Sequence, residues 1–187
     1  DHRDLHSFPT RRSSDLHPAT FNFAGNEKPR DFRVAIPGGE KNKVRQMIFT
    51  GFNKCCYPYQ KFDSVDGELR LAQILENDAS VVRWMKPRPG QFRIEYTNGR
   101  NYEPDFVVEM NNGYCLIEPK KANEIDTPEV QAKTRAALRW CEFANQNAAK
   151  NGGKVWRYAL IPHNEIELSR TVSGLMADFM MTNSLSA

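Results

Sequence analysis

Two apolar runs, residues 107–110 and 114–117, flank Asn111-Asn112-Gly113, and this pairing constrains the chain more than any other feature. Asn-Gly is the strongest short-range hairpin signal, so the runs are expected to pair as antiparallel strands. With Asn112-Gly113 as a two-residue turn, counting back along both strands sets Asp105 opposite Lys120, with Glu118 diagonal to it. Side chains alternate along a strand, so Glu118 and Lys120 project to one side, Pro119 points away, and diagonal neighbours stay within reach. A slip of one residue would scatter the cluster. Pro119 has no amide to donate and is expected at a strand end, an edge or a bulge. Phe106, Val107, Val108, Leu116 and Ile117 put apolar side chains on both faces of the hairpin, as in a doubly covered sheet.

Two carboxylates and a lysine on one face are the groups that metal-dependent cutting of a phosphodiester requires. Magnesium takes oxygen ligands, keeps several waters, and is usually held by one or two carboxylates together with a substrate phosphate. A neighbouring lysine can orient the attacking water and stabilise charge building on phosphorus. The plainer alternative is a surface ladder in which Lys120 only neutralises Asp105 and Glu118. The apolar cover on both faces argues against it.

Around the hairpin the pattern is α/β. Phe62-Asp63-Ser64 precedes a helix expected over 65–77, with Asp63 or Ser64 as N-cap. Glu68, Leu71, Ala72 and Leu75 share its inward stripe, an unusual place for a carboxylate. Taken alone, Glu68 reads as a first-turn acid that complements the helix dipole and reaches solvent. Beside a metal site it is a plausible third acid. Residues 81–85 read as a strand, and the alternation of Phe92, Ile94 and Tyr96 before Asn98-Gly99 adds a further strand to the hairpin. Thr127-Pro128 opens a long helix that Gly152-Gly153 ends. A strand over 155–161 and a last helix carrying Leu168, Val172, Leu175, Met176 and Phe179 complete the order. Met47-Ile48-Phe49 is compatible with either helix or strand.

Residues 1–16, which include His6-Ser7-Phe8-Pro9-Thr10-Arg11-Arg12-Ser13-Ser14-Asp15-Leu16, resemble the in-frame translation of a short-read sequencing adapter. They are set aside from fold reasoning. The natural chain is then expected to begin upstream, and this one to be a C-terminal fragment. Residues 17–40, rich in Pro, Gly, Asn and charge, read as a linker or the truncated edge of an upstream region, and 41–187 as one domain. The adapter-like stretch holds three arginines and three aspartates, so without it the formal net charge stays at +3, which permits a polyanionic partner. Cys55, Cys56, Cys115 and Cys141 have neither CxxC spacing nor partner histidines, so no zinc site or disulfide framework is indicated and a cytoplasmic location is expected. No apolar run is long enough to span a membrane.

Taken together, Lys61-Phe62-Asp63-Ser64, the run from Trp84 to Pro89, Tyr102-Glu103-Pro104-Asp105, Glu118-Pro119-Lys120-Lys121 and the run from Pro128 to Lys133 resemble the PD-(D/E)xK nuclease superfamily. Over residues 41–165 the likeness is to the C-terminal endonuclease region of the restriction (Res) subunit of type III restriction enzymes. That resemblance implies a restriction-endonuclease-like core: a mixed central sheet, with antiparallel hairpin strands plus a further strand, flanked by helices. It implies a magnesium-dependent endonuclease acting on double-stranded DNA. Asp105 and Glu118 would be metal ligands, Glu68 an additional acid ligand, Lys120 the catalytic lysine, and Gln131 a residue that helps orient the site. It also implies a modification (Mod) subunit as partner and an upstream helicase motor. No GxxxxGK[ST] loop occurs in this chain, so ATP hydrolysis is not expected of it.

Two other readings remain: a non-catalytic nucleic-acid-binding or subunit-docking module on a nuclease-like fold, and a nuclease of DNA repair or mobile-element type. Lys86, Arg88, Arg93 and Arg100, with Trp84 and Phe92 nearby, could grip phosphates, although solvated loop charge is the simpler account of each. Lys133, Arg135 and Arg139 are read the same way. His163 is expected to be incidental, and Trp140 and Trp156 to be packing residues.

Overall fold

The computed structural model describes residues 28–182, so the adapter-like stretch 1–16 and residues 17–27 lie outside the described residues. Its centre is a mixed five-stranded sheet in the order β3 (Val81–Met85), β6 (Phe106–Met110), β7 (Gly113–Lys120), β8 (Trp156–Pro162) and β9 (Met180–Met181). Neighbours β3/β6, β6/β7 and β8/β9 run antiparallel, and β7/β8 run parallel. A parallel neighbour cannot be reached by a tight turn, and the long helix α2 (Pro128–Asn151) supplies the crossover from β7 to β8. All five residues of β6 are buried, as expected of a strand covered on both faces.

The helices form where the sequence signals them. Ser64 caps the first by accepting from the Glu68 amide at 3.1 Å. The opening turn, Val65–Leu69, is wide, with the Leu69 amide reaching the Ser64 carbonyl at 3.0 Å, before the chain tightens into α1 (Arg70–Asn77). Leu71, Ala72 and Leu75 of α1 are fully buried. In α2, Pro128 occupies the first turn and Gly152 closes the helix in the left-handed region at φ 71°. Asn145 of α2 bonds both the amide and the carbonyl of Trp156, at 2.7 and 2.9 Å, locking the helix to β8. Trp140 and Trp156 pack edge to face at 4.8 Å as core residues.

Several expectations change. The hairpin turns through Asn111-Asn112, because Met110 pairs with Gly113. Gly113 serves close packing instead: a Cβ there would sit 2.6 Å from both Arg157 Nη1 and the Val155 carbonyl. The true register therefore differs by two residues, which preserves the face of every side chain. Asn98-Gly99 does make a tight turn, with φ of 32° and 79°, between β4 (Ile94–Thr97) and β5 (Arg100–Tyr102). That pair forms its own two-stranded sheet and does not extend the main one. Within the stretch expected as linker or edge, residues 28–40 pack on the domain: β1 (Arg30–Asp31) pairs with β2 (Phe49–Thr50), and Phe32 stacks on Phe52 at 4.8 Å. Leu168 lies before the last helix, α3 (Val172–Phe179), and is exposed. Cys55, Cys115 and Cys141 are buried free thiols, their pKa values pushed up to about 12 by desolvation. Among the described residues, no helix is long and apolar enough to cross a membrane.

Candidate functional site

The end of the β6–β7 hairpin brings Asp105, Glu118 and Lys120 together, and Glu68 and Lys86 join them from other elements. One step beyond the last ladder pair, Phe106 with Ile117, Asp105 lies opposite Glu118 rather than Lys120, and its amide donates to Glu118 Oε2 at 3.3 Å. Lys120 comes one rung further along the same face, with Nζ 3.9 Å from Glu118 Oε1. Pro119 falls past the last residue paired with β6, where its missing amide takes nothing from that ladder.

Glu68 arrives from the wide opening turn of α1. Its carboxylate reaches back to accept from the Asp63 amide at 2.8 Å while its own amide is held by Ser64, a reciprocal cap. The side chain is buried, at 7 % exposure, and does not run out to solvent as a first-turn acid ordinarily would. Its second partner is Lys86, just past the end of β3. Lys86 Nζ stands 2.8 Å from Glu68 Oε2 and 3.8 Å from Asp105 Oδ1. One ammonium thus joins the helix-borne acid to the hairpin acid.

The electrostatics follow from burial. Desolvation raises the pKa of Glu118, and the neighbouring Asp105 raises it further against the opposing pull of Lys120. Desolvation also raises Asp105, partly offset by Lys86 and reinforced by Glu68. Burial alone would weaken Lys86 as a base, but Asp105 and Glu68 outweigh it and hold the ammonium charged above its usual range. Nearby, the Tyr102 hydroxyl is the buried side-chain polar atom that finds no hydrogen-bond partner among the described residues. Its ionisation is suppressed first by burial, then by Tyr158 and Glu118.

Other candidates take different places. The Gln131 side-chain Nε2 donates to the Ile125 carbonyl at 2.9 Å, securing the turn into α2. Trp84 is fully buried, with Nε1 bonded to Glu76 at 2.8 Å, so it is no platform for nucleic acid. Phe92 packs on Trp140 at 5.0 Å. Arg88 stacks over Tyr57 at 4.4 Å, Arg93 and Arg100 are exposed, and Lys133 pairs with Glu129 at 2.7 Å. His163 is less incidental than expected: its ring fills the space over Gly67 that any Cβ would occupy. Lys86, expected as solvated loop charge, instead enters the site. The signal in the sequence was only its place at the end of a buried strand.

Among the described residues, no three His, Cys, Asp or Glu side chains are drawn close enough to cage a metal ion by themselves. A divalent cation nevertheless suits this donor set. Glu118 is buried and the adjacent Asp105 half-buried, both with few hydrogen-bond donors, and Asp105 keeps 23 % of its side chain open to solvent. Two hard oxygen donors with an open side are what magnesium uses when water and phosphate complete its shell. No protein-family model matches the chain, and no curated protein matches it in sequence.

Proposed function

We propose that this domain is a magnesium-dependent DNA endonuclease with a restriction-endonuclease-like core, of the PD-(D/E)xK type found in type III restriction Res subunits. The observation that carries the reading is the meeting of Asp105 and Glu118 at the end of the hairpin, with Lys120 one rung beyond and Glu68 delivered from the helix. The mixed sheet with a helical crossover between its parallel strands supports it.

Asp105 and Glu118 would hold the ion, with Glu68 as an additional acid. Bound there, magnesium would polarise the scissile phosphate and make its own water more acidic. Lys120 presents a fixed positive charge beside Glu118, where it would steady the negative charge that grows on phosphorus. Burial keeps the Glu118 carboxylate largely from bulk water, which strengthens its interaction with Lys120. Double-stranded DNA is the proposed substrate, and a modification subunit with an upstream helicase motor the proposed partners.

One observation favours the rival reading of a non-catalytic binding or docking module: the absence of a ready three-acid cage among the described residues. Incubating the purified chain with plasmid DNA and magnesium, with a chelator control, decides between them. Nicking or linearisation is expected, with Asp105→Ala and Lys120→Ala each slowing it at least about 100-fold while circular dichroism stays native. Glu68→Gln should slow it less. Undiminished cutting by either of the first two variants would refute the assignment.

A further inference from the structure

Lys86 has no part in the reading given above, yet it is the best-connected charge in the site. Its ammonium touches Glu68 at 2.8 Å and approaches Asp105 at 3.8 Å, two acids that lie far apart in sequence and on different elements. Its Nζ lies over the Phe106 ring, 5.9 Å from the centroid, and its side chain is 20 % exposed, so the charge is sheltered without being sealed in. Lys120 lies on the other side, next to Glu118. The three acids are thus served by two lysines, one at each end.

We propose that Lys86 is a positioning residue, a resident counter-ion that holds Glu68 and Asp105 together until a divalent cation displaces it from them. The inference rests on the metal-site reading of Asp105 and Glu118, and it adds that metal occupancy is a competition with a built-in ammonium. A divalent ion and the ammonium repel each other and draw on the same lone pairs of Glu68 Oε2 and Asp105 Oδ1, so the ion would gain those oxygens as Lys86 loosens its hold on them. The released side chain is long enough to remain at the rim of the site and meet a phosphate oxygen of the incoming strand.

The competition has a signature that a merely structural lysine lacks. Removing the charge should improve metal binding while impairing the chemistry that follows. Magnesium titration by calorimetry, without DNA, is expected to give Lys86→Met a dissociation constant roughly tenfold lower than that of the unsubstituted chain. Lys86→Arg, which keeps the charge, should stay near the original value. Lys86→Gln retains a hydrogen bond to Glu68 and is expected to follow Lys86→Met, which keeps the test available should the apolar variant fold poorly. Plasmid cleavage by Lys86→Met should fall despite the tighter binding.

The outcomes separate cleanly. Magnesium binding that is measurable in the unsubstituted chain but no tighter in Lys86→Met and Lys86→Gln overturns the counter-ion role and leaves the metal-site reading standing. Absence of binding in all of these proteins overturns the metal-site reading and the inference with it. Binding seen only after the charge is removed supports both.

Discussion

Glu76, at the C-terminal end of α1, and Glu118, at the end of the hairpin, are buried almost equally, at 8 % and 7 % exposure, but their surroundings differ in kind. Glu76 accepts from the amides of Asn53, Lys54 and Cys55 at 2.7, 3.0 and 2.9 Å and from Trp84 Nε1 at 2.8 Å. Two residues on, Asp78 accepts from the Ser80 amide and hydroxyl and from the Val172 amide. Glu118 receives one long bond, at 3.3 Å, and a lysine at 3.9 Å. A buried carboxylate whose lone pairs are filled by the protein is scaffold. One left largely unfilled beside a second acid is destabilised as it stands, and such groups concentrate at functional sites.

The sharpest way to break this contrast is to empty the saturated pocket. Glu76→Ala strands three backbone amides and an indole N–H that converge on one point, and each unsatisfied donor costs about 1–3 kcal/mol. A loss of at least about 3 kcal/mol is expected in chemical denaturation, some of it recoverable by water entry. A loss below about 1 kcal/mol would show that Glu76 is not the clamp joining β3 to the loop before α1.

Asp78 should matter less, because it is only partly buried, and its effect has a pH sign. Burial works against its ionised form, but bonds from the Ser80 side chain and the Val172 and Ser80 amides win, so its pKa is depressed in the folded chain. A depressed carboxyl binds fewer protons folded than unfolded, so its contribution is present above the unfolded pKa and is lost as pH falls through the folded value. Thermal unfolding of Asp78→Asn should therefore show a lower melting temperature near neutrality, with the gap closing in acid. A gap constant down to pH 2 would contradict the assignment.

How much of this could be read from the chain follows the range of the interactions. The hairpin and α2 were legible because their signals are local: apolar runs around a turn, Thr127-Pro128 at one end and Gly152 at the other. The register differs by two from the expected one because Gly113 is not a turn residue but admits Arg157 and the Val155 carbonyl. The face survived this, since an even slip keeps every side chain on its side, but Asp105 acquired Glu118 as its neighbour in place of Lys120. The β4–β5 turn was read correctly and its sheet was not, because a tight turn specifies its own hairpin and says nothing of what lies beside it. The contacts of Lys86 and Glu76 carry no local signal in the sequence. Lys86 meets acids 18 and 19 positions away, and Glu76 meets amides more than 20 positions away, distances at which no periodicity or turn chemistry applies.

The smallest expected change in stability comes from the acid with the largest proposed part in the chemistry. Glu118→Gln removes a carboxyl that burial and Asp105 both disfavour in its charged form, and it keeps an oxygen able to accept from the Asp105 amide. Replacing a poorly compensated buried charge with a neutral group of the same shape is close to neutral or stabilising. In magnesium-free buffer the variant should unfold within about 1 kcal/mol of the unsubstituted chain, or above it, while plasmid cleavage is lost. The pairing of the two measurements is what matters. A variant that is inactive and strongly destabilised would place Glu118 with Glu76 as scaffold, and the division between filled and unfilled carboxylates would no longer mark the site.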